Sequence, residues 1–382
     1  MKRIRVIALL TVLLLALTAC GKTEPAPEPA VEEPQTVETP AEPEPKVEEP
    51  PKVEEPPKEE EPKAEEPAEP VPEGNLNPLT GLYDGISDEA LHRRPVAIMV
   101  SNSYNSLPQW GVSQADIIYE MLAEGRITRF VALFKDPSKI EKLASIRSAR
   151  PYFIDMAQSY GAVYMHFGGS VPAYDAIAAR SDLIDLDGIR GNWEGSLYRR
   201  DPDRRKTIGL EHSVYTTGEY VETALASLKK DLSQEEQPSA FHFGEEHSAL
   251  NGETADKVTL TFSERHRPYF VYDEENGTYK RWQYGDPHMD AWMKKQIEVK
   301  NLLVLRMAVH DRNDELKLVD ITTTGAGKGY YCCDGKAVPI TWKKDGYNKP
   351  ITFYDASGAE LTVAPGQTFV SCVTETASVD FE

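Results

Sequence analysis

Hydrophobic residues follow three different patterns along this chain. An uncharged, mostly apolar run occupies residues 6–17, whereas residues 22–73 contain no aromatic residue. From about residue 75 onward, short apolar runs alternate with turn-forming residues, which is typical of a folded region. The pattern therefore predicts a globular part of roughly 300 residues, preceded by two segments that do not contribute to its core.

Residues 75–232 show both strand-like and helix-like spacing of apolar positions. Strands are predicted at residues 95–100, 127–134 and 162–166, and helices at residues 149–160, 171–180 and 217–230. Thr216 or Thr217 is the expected N-cap of the last helix, and two lysines follow at its expected C-terminal end. This first domain is therefore predicted to be α/β or α+β, and we expect it to carry the ligand site.

Residues 240–382 contain many short β-rich runs, and the polar residues 233–239 form the expected connector. Asn-Gly, Asp-Gly, Ser-Gly and Pro-Gly pairs separate several runs, which favours hairpins and a mainly antiparallel β domain. Residues 281–298 also fit one helix. Strands are predicted at residues 257–262, 269–272, 279–282, 302–310, 329–333, 337–342, 351–354 and 368–373.

Residues 1–19 fit a lipoprotein signal peptide. Three basic residues precede the apolar run, which is too short to span a bilayer, and small residues lead to Cys20. Cleavage before Cys20 would place its thiol at the new N-terminus, where it can be acylated, with palmitate among the chains, and two or more chains anchor a protein firmly. We expect the exported, anchored chain on the extracytoplasmic face of the cell membrane, and Gly21 gives no signal for inner-membrane retention. A secretory signal peptide with an incidental cysteine is the alternative.

Residues 20–74 comprise the lipidated Cys20 and a tether that we expect to be disordered. Within residues 22–73, eighteen glutamates face five lysines, and the hexapeptide KVEEPP occurs twice in succession. Such a Pro/Glu-rich composition cannot bury an apolar core. The chain has a net charge of −20, and the region after the tether is also acidic and has no lysine-rich stripe. A nucleic-acid partner is therefore disfavoured, and the membrane is the expected partner through the anchor.

A group of arginines marks the first candidate site. Arginine presents a planar fork of donors that suits a carboxylate or phosphate, so the group fits an anion site. Internal salt bridges, with Glu120 and Glu124 as neutralising partners, are the alternative. The arginines lie within 25 residues, with Ser148 between the last two: Arg126, Arg129, Arg147 and Arg150.

A second candidate feature is the stretch His-Phe-Gly-Gly-Ser at residues 166–170, which predicts a strand end, a glycine turn and a helix start. Gly168 and Gly169 would let backbone N–H groups approach a ligand at the helix N-terminus. Ser170 is most simply an N-cap, because the stretch lacks the Gly-x-Ser-x-Gly pattern of a nucleophile elbow. His166 fits a ligand contact, a proton shuttle or a structural histidine, and His212 is a second candidate.

Several motifs together resemble the YerB-type family of lipoproteins, which has two domains of unknown function. The resemblance implies this two-domain arrangement, a membrane-anchored location and a link to cell-wall synthesis, but no reaction. Arg126 stands where the family usually has a second glycine, and Glu211-His212-Ser213 replaces Pro-His-Asn, which weakens any role carried over to His212. The motifs span residues 94–100, 114–120, 124–130, 147–152, 166–170, 279–281, 300–304, 327–330, 341–344 and 365–369.

No cofactor or metal is predicted. Residues 322–329 lack the first glycine and the final Ser/Thr of a phosphate loop, and the chain has neither a His-Glu-x-x-His nor a Cys-x-x-Cys motif. Adjacent residues of a strand face opposite sides, so only one of Cys332 and Cys333 could form a disulfide with Cys372. Three buried free cysteines are the alternative.

Two main functions compete. One is an envelope-binding or regulatory module that recognises an anionic ligand, an envelope polymer or a cell-wall-synthesis protein. The other is an envelope hydrolase with Glu120 or Glu124 as general acid or base and His166 assisting. Neighbouring arginines lower a carboxyl pKa, which hinders a general acid. A scaffold with purely structural arginines is a third interpretation. The contacts expected for the binding module are Glu124, Arg129, Arg147, Ser148, Arg150 and His166.

Overall fold

The computed structural model describes residues 74–235, 238 and 240–382. The signal peptide, Cys20 and nearly all of the tether lie outside these described residues. Within the described part of the chain, no helix has both the length and the apolar character needed to span a bilayer.

The first half contains all the α-helices of the described residues together with eight strands. The helices are α1 (Asp88–Leu91), α2 (Pro151–Ser159), α3 (Val171–Ala178), α4 (Pro202–Thr207) and α5 (Gly218–Ser227). The strands are β1 (Val96–Ser101), β2 (Ile117–Leu122), β3 (Thr128–Phe134), β4 (Leu143–Ala144), β5 (Val163–His166), β6 (Ile184–Asp187), β7 (Arg199–Arg200) and β8 (Val214–Thr216).

The second half is built from strands. They are β9 (His242–Phe243), β10 (Glu253–Thr254), β11 (Lys257–Leu260), β12 (Tyr269–Asp273), β13 (Thr278–Gln283), β14 (Asp286–Pro287), β15 (Met289–Asp290), β16 (Lys295–Gln296) and β17 (Glu298–Val299). They continue as β18 (Asn301–Met307), β19 (Val309–Asp311), β20 (Val319–Ile321), β21 (Gly325–Cys333), β22 (Lys336–Lys344), β23 (Thr352–Tyr354), β24 (Thr362–Val363), β25 (Thr368–Thr374) and β26 (Val379–Phe381).

One eleven-stranded mixed sheet takes strands from both halves of the chain, in the order β10-β22-β21-β18-β25-β2-β3-β1-β5-β6, with β23 beside β22. Strand β25 lies between β18 and β2 and is parallel to both, with Thr368 opposite Ile117. Every residue of β1, β2 and β3 is buried, because both faces of this part of the sheet are covered.

A second sheet, β14-β13-β12-β11-β26 with β17 beside β13, covers part of the first. Phe270 of β12 packs on Phe369 of β25 with ring centroids 5.2 Å apart, and Phe130 of β3 packs on the same ring at 5.7 Å. The alternating burial of β13 shows that one of its faces points into the protein. The two sheets therefore share a core of aromatic side chains.

The structure confirms the prediction of a mainly antiparallel β region after the connector, and it confirms the predicted strands and the three predicted longer helices of the first half within a few residues. Thr217 is the N-cap of α5, because its side chain accepts a hydrogen bond from the Tyr220 N–H. The two lysines are not at the end of that helix, however, since α5 ends at Ser227 and Leu228 is extended.

The predicted helix at residues 281–298 is wrong. This segment forms β13 to β17. Arg281 and Gln283 point inward from β13 and are buried, whereas a sequence pattern treats such polar residues as surface positions. Their burial hid the period of two that identifies a strand. The strand β2 was also missed, because Glu120 interrupts its apolar run.

Candidate functional site

Three of the sequence-predicted site residues form one ion-paired group, which we call the arginine cluster: Glu124, Arg129 and Arg150. Glu124 begins a short 3-10 turn between β2 and β3, Arg129 lies on β3, and Arg150 is the residue before α2. The Glu124 carboxylate accepts hydrogen bonds from Arg129 through Oε1, and from Arg150 through Oε2 at 2.6 and 3.1 Å. One carboxylate therefore binds two guanidinium groups.

The remaining donors of the arginine cluster are largely engaged as well. Arg129 donates to the Ser148 carbonyl at 2.8 Å, and Arg150 donates to the Ala149 carbonyl at 2.6 Å. Burial and the neighbouring Arg150 lower the pKa of Arg129 to about 10. Burial opposes ionisation of Glu124, but the two arginines outweigh it and hold its pKa below the usual value. Arg129 Nε is the one donor of this arginine without a partner among the described residues, so most of the cluster's hydrogen-bonding capacity is used within the protein.

Arg147, Ser148 and His212 lie beside the arginine cluster. Arg147 donates to the Glu211 carbonyl at 3.2 Å and to its carboxylate at 3.0 Å. The Ser148 hydroxyl donates to the Phe167 carbonyl at 3.2 Å. His212 is half-buried, and burial together with Arg147 lowers its pKa, so its ring is neutral at physiological pH.

The glycine turn at residues 166–170 has the predicted strand–turn–helix form. Gly168 has a φ of +77°, and Ser170 caps α3 by accepting from the Ala173 N–H at 3.3 Å. The Gly168 N–H donates to Asp187 at 2.8 Å, so this backbone donor is engaged within the protein. A side chain at Gly169 would press on the Tyr174 ring, with a closest approach of 3.3 Å. The turn is thus packed against its own surroundings.

His166 is buried at the start of this turn. Its Nε2 lies 2.5 Å from Asp185 Oδ1, and its Nδ1 lies 2.7 Å from the Gly168 carbonyl oxygen. Burial alone would lower the pKa of His166, but Asp185 and Asp187 outweigh that effect and raise it. The structure therefore places His166 as a charged structural residue and not on an open surface.

Glu120 belongs to a separate buried assembly, which we call the Glu120 network. Its Oε1 accepts from Asn102 at 2.8 Å, Thr128 at 2.7 Å and His266 at 2.8 Å, while its Oε2 accepts from Arg281 at 2.9 Å. Burial opposes ionisation, yet Arg281 and the hydrogen-bond donors lower the pKa of Glu120 to about 2. Glu120 is therefore a fixed anion and cannot act as a general acid.

The network continues through Arg281 to two further buried side chains. Arg281 Nη1 donates to Gln283 Oε1 at 2.8 Å and to His288 Nδ1 at 2.5 Å. Since Nδ1 accepts, His288 Nε2 carries the proton and donates to Gln109 Oε1 at 2.5 Å. Burial, reinforced by Arg281, places the pKa of His288 well below its usual value.

An open groove lies above this network. Its larger lobe is a cavity of about 1100 Å³ and its smaller lobe one of about 640 Å³, and the lobes share Tyr104, Asn105 and Tyr284. Gln283 and His288 line the larger lobe and His266 lines the smaller one, so the Glu120 network forms part of both floors. We call the two lobes together the groove.

Several buried polar atoms that line the groove have no hydrogen-bond partner among the described residues. They are Gln283 Nε2 and His212 Nδ1 in the larger lobe and His266 Nδ1 in the smaller lobe. Buried polar atoms are nearly always paired in folded proteins, so a small side-chain movement that brings these atoms to the cavity would let a ligand pair with them.

The walls of the groove combine apolar and charged surface. Tyr104 is 67% exposed and meets the Tyr284 ring edge-on, with centroids 5.4 Å apart. Leu210 and Met289 are exposed at the larger lobe, which also carries two carboxylates, Glu211 and Asp286. The smaller lobe carries Arg126, Arg265 and Glu264. The two lobes therefore differ in charge.

Sequence reasoning found only part of this arrangement. Of the residues singled out in the sequence, His212 and Arg126 line the groove and Glu120 lies beneath it, whereas the arginine cluster and the glycine turn form separate groups. Tyr104, Gln283 and His288 were missed. No local motif marks them, because Tyr104 lies 179 residues before Gln283 and the two regions meet only in the fold.

The protein is rich in β-sheet and is built from two sequence segments. Comparison with known proteins assigns both segments to one family. Residues 79–233 match the model described as "Protein of unknown function (DUF3048) N-terminal domain", and residues 258–370 match the corresponding C-terminal domain. The chain belongs to this DUF3048 family of YerB-type proteins.

Two relatives support this assignment. "Putative lipoprotein YerB" of Bacillus subtilis (strain 168) is 29% identical over 298 residues, which covers 78% of this chain and 85% of the relative. The crystal structure of the YerB protein from Bacillus subtilis matches with a TM-score of 0.68 and 28% identity, over 80% of this chain and 99% of that one. The likeness agrees with a lipoprotein whose function is unknown.

Proposed function

We propose that this lipoprotein is anchored through Cys20 to the extracytoplasmic face of the cell membrane and binds a cell-wall polymer in the groove. The observation that carries the proposal is that Gln283 and His212, which line a cavity of about 1100 Å³, each have a buried polar atom without a partner, Gln283 Nε2 and His212 Nδ1. A ligand that supplies hydrogen-bond partners to these atoms would remove the cost of leaving them unpaired.

The lining favours a ligand with both apolar faces and polar groups. Tyr104 and Tyr284 offer aromatic surface, which covers a large apolar area while fixing few side-chain torsions. Gln283 offers an amide donor, and the carboxylates of Glu211 and Asp286 accept hydrogen bonds. Sugar hydroxyl and amide groups of a wall polymer fit this set. The two connected lobes suit an extended segment better than a compact metabolite.

The arginine cluster is not the binding surface in this proposal. Glu124 already binds Arg129 and Arg150, and an anionic ligand would have to compete with that buried carboxylate. Arg147 contributes indirectly, because it holds Glu211 at the rim of the larger lobe. A regulatory role in cell-wall synthesis would follow if binding reports the state of the wall to a partner.

We do not propose the hydrolase alternative. Glu120 is buried with a pKa of about 2, and the pKa of Glu124 lies below its usual value beside two arginines. A general acid needs the opposite shift.

The test is co-sedimentation of the full-length protein, held in mild detergent, with insoluble purified cell wall. Tyr104→Ala removes exposed aromatic surface from both lobes, and Gln283→Glu keeps the acceptor for Arg281 while removing the unpaired donor. We expect each change to weaken binding about tenfold, or about 1.4 kcal/mol. Tyr83→Ala is the matched control, since Tyr83 is exposed but does not line the groove. Equal binding by all four proteins would overturn the proposal.

A further inference from the structure

A second polar cluster lies at the tip of the hairpin formed by β21 and β22. Cys333 is the last residue of β21, and the turn of Asp334 and Gly335 follows with φ values of +51° and +68°. This backbone is the tight two-residue turn that Asp-Gly favours. His247 reaches the tip from the segment between β9 and β10. We call His247, Cys333 and Asp334 the hairpin-tip cluster.

Each member of the hairpin-tip cluster offers one metal-ligating atom, and these atoms all lie within 4.8 Å of one another. An imidazole nitrogen, a sulfur and a carboxylate oxygen are the donors that Zn²⁺ takes in proteins. Bound Zn²⁺ lies about 2.0–2.3 Å from such atoms, so small side-chain movements would complete the site. His247 and Cys333 are buried, and Asp334 is partly exposed on the side open to solvent.

The two ring nitrogens of His247 have different surroundings. His247 Nε2 lies 3.0 Å from Asp334 Oδ2, whereas its Nδ1 is buried and has no hydrogen-bond partner among the described residues. His247 is only 4% exposed, so its ring is held in place by the surrounding protein. Nε2 is the nitrogen that faces Asp334, and an ion bound between these two residues would take the place of their direct contact.

A positively charged side chain of the protein already contacts the hairpin-tip cluster. The Lys300 ammonium binds Asp334 Oδ1, and its side chain is about a quarter exposed. This long, flexible side chain can leave Asp334 for solvent when another cation arrives. Lys300 is therefore a competitor for the carboxylate, which provides a way to strengthen the site experimentally.

We propose that His247, Cys333 and Asp334 bind one Zn²⁺ ion. Three protein ligands leave one coordination position to solvent. Cys333 is fully buried, so an ion that binds its sulfur has to displace the thiol proton. The ion would tie the segment after β9 to the hairpin tip, and it would stabilise a region outside the groove. No sequence motif marks this site. Cys333 and Asp334 are adjacent, but His247 lies 86 residues before Cys333.

The direct test is a titration of the chelator-treated full-length protein with Co²⁺ alone, a spectroscopic substitute for Zn²⁺. We expect one equivalent to produce a thiolate-to-cobalt charge-transfer band in the wild type. Cys333→Ser should abolish the band, and Cys332→Ser should retain it, because adjacent strand residues face opposite sides. No band in the wild type, or an equal band in the Cys333→Ser variant, would overturn the proposal.

If Cys333→Ser does not fold, thermal unfolding in the presence of Zn²⁺ provides a second test of the site. Zn²⁺ should raise the thermal unfolding temperature of the wild type in a concentration-dependent way. His247→Ala should weaken the affinity by at least about 100-fold and remove this rise. Lys300→Met should tighten binding, because it removes the competing cation. A rise of the same size in all three proteins, or in none, would contradict the proposed site.

Discussion

Two carboxylates, Glu120 within β2 and Glu124 in the turn after it, lie four residues apart and serve different structures. Glu124 binds two arginines from its own half of the chain, and none of these three residues lines the groove. Glu120 binds Arg281, which is 161 residues away, and that arginine leads through Gln283 and His288 to the floor of the groove. Glu124 thus pairs with arginines that are near it in the sequence, whereas the groove is assembled from distant segments.

The strongest test of this comparison removes the long-range ion pair. Arg281→Met would leave the Glu120 charge buried without its counter-ion, which typically costs about 3–5 kcal/mol of unfolding free energy. Denaturant unfolding measures this loss. Lys280→Met is the matched control, because Lys280 is the neighbouring residue on the exposed face of β13 and should change stability little. Similar effects of the two substitutions would show that the pair does not hold the halves together.

Acid should lower the stability of the fold through the Glu120 network. The pKa of Glu120 is about 2 when folded, below its ordinary value of 4.5, so the unfolded chain binds more protons between these values. The stabilisation is fully present above 4.5 and is lost as the pH falls toward 2, by on the order of 3 kcal/mol.

His288 adds to the same trend, because its lowered pKa makes stability fall below about pH 6.5. Unfolding free energies measured across this pH range should show both losses. Glu120→Gln should remove the lower part of the slope, and His288→Gln the upper part. If both variants kept the same loss of unfolding free energy at low pH, other titrating groups would be its cause.

Removing the centre of the arginine cluster should have a smaller effect. Glu124→Gln leaves Arg129 and Arg150 without their shared anion, at a cost of about 2 kcal/mol. The loss is smaller than for Arg281→Met because a quarter of the Glu124 side chain is exposed and water can replace it. Denaturant unfolding gives the stability, and co-sedimentation gives wall binding. Loss of binding at unchanged stability would assign the ligand to the arginine cluster instead.

The smallest effect is expected at Arg147. Its pair with Glu211 is at the surface, so Arg147→Ala should cost less than about 1 kcal/mol. Cell-wall binding should change no more than about twofold, because Arg147 only holds a residue of the rim. A tenfold loss of binding would instead indicate that the arginines contact the ligand directly.

Features that depend on residues close together in the sequence were predicted well, and features that depend on distant residues were not. Strands such as β1, β3 and β5 were predicted because their apolar runs are continuous, and Ser170 was predicted as an N-cap from its local setting. The strand carrying Arg281 was misread beyond its first residues as a helix, because polar residues point into the core there.

The candidate site was predicted less completely for the same reason. In the alternative of internal salt bridges, Glu120 and Glu124 were the partners of the nearby arginines, and the structure shows such pairs for Glu124. Arg281 could not be identified as the partner of Glu120, since their pairing depends on the sheet that carries β13 packing on the sheet that carries β2. Gln283 and Tyr104 carry no signature of their own. Only the folded chain brings them to one groove.

The most direct test of the central claim is hydrogen exchange of the full-length protein with and without soluble cell-wall fragments. The groove assignment predicts slower backbone exchange at residues 104–108, 207–212 and 283–289, which contribute the lining of the larger lobe. It also predicts unchanged exchange at residues 147–150 and 166–170, which hold the arginines and the glycine turn. Protection confined to those last two segments, or no protection anywhere, would contradict the claim that the groove binds the wall.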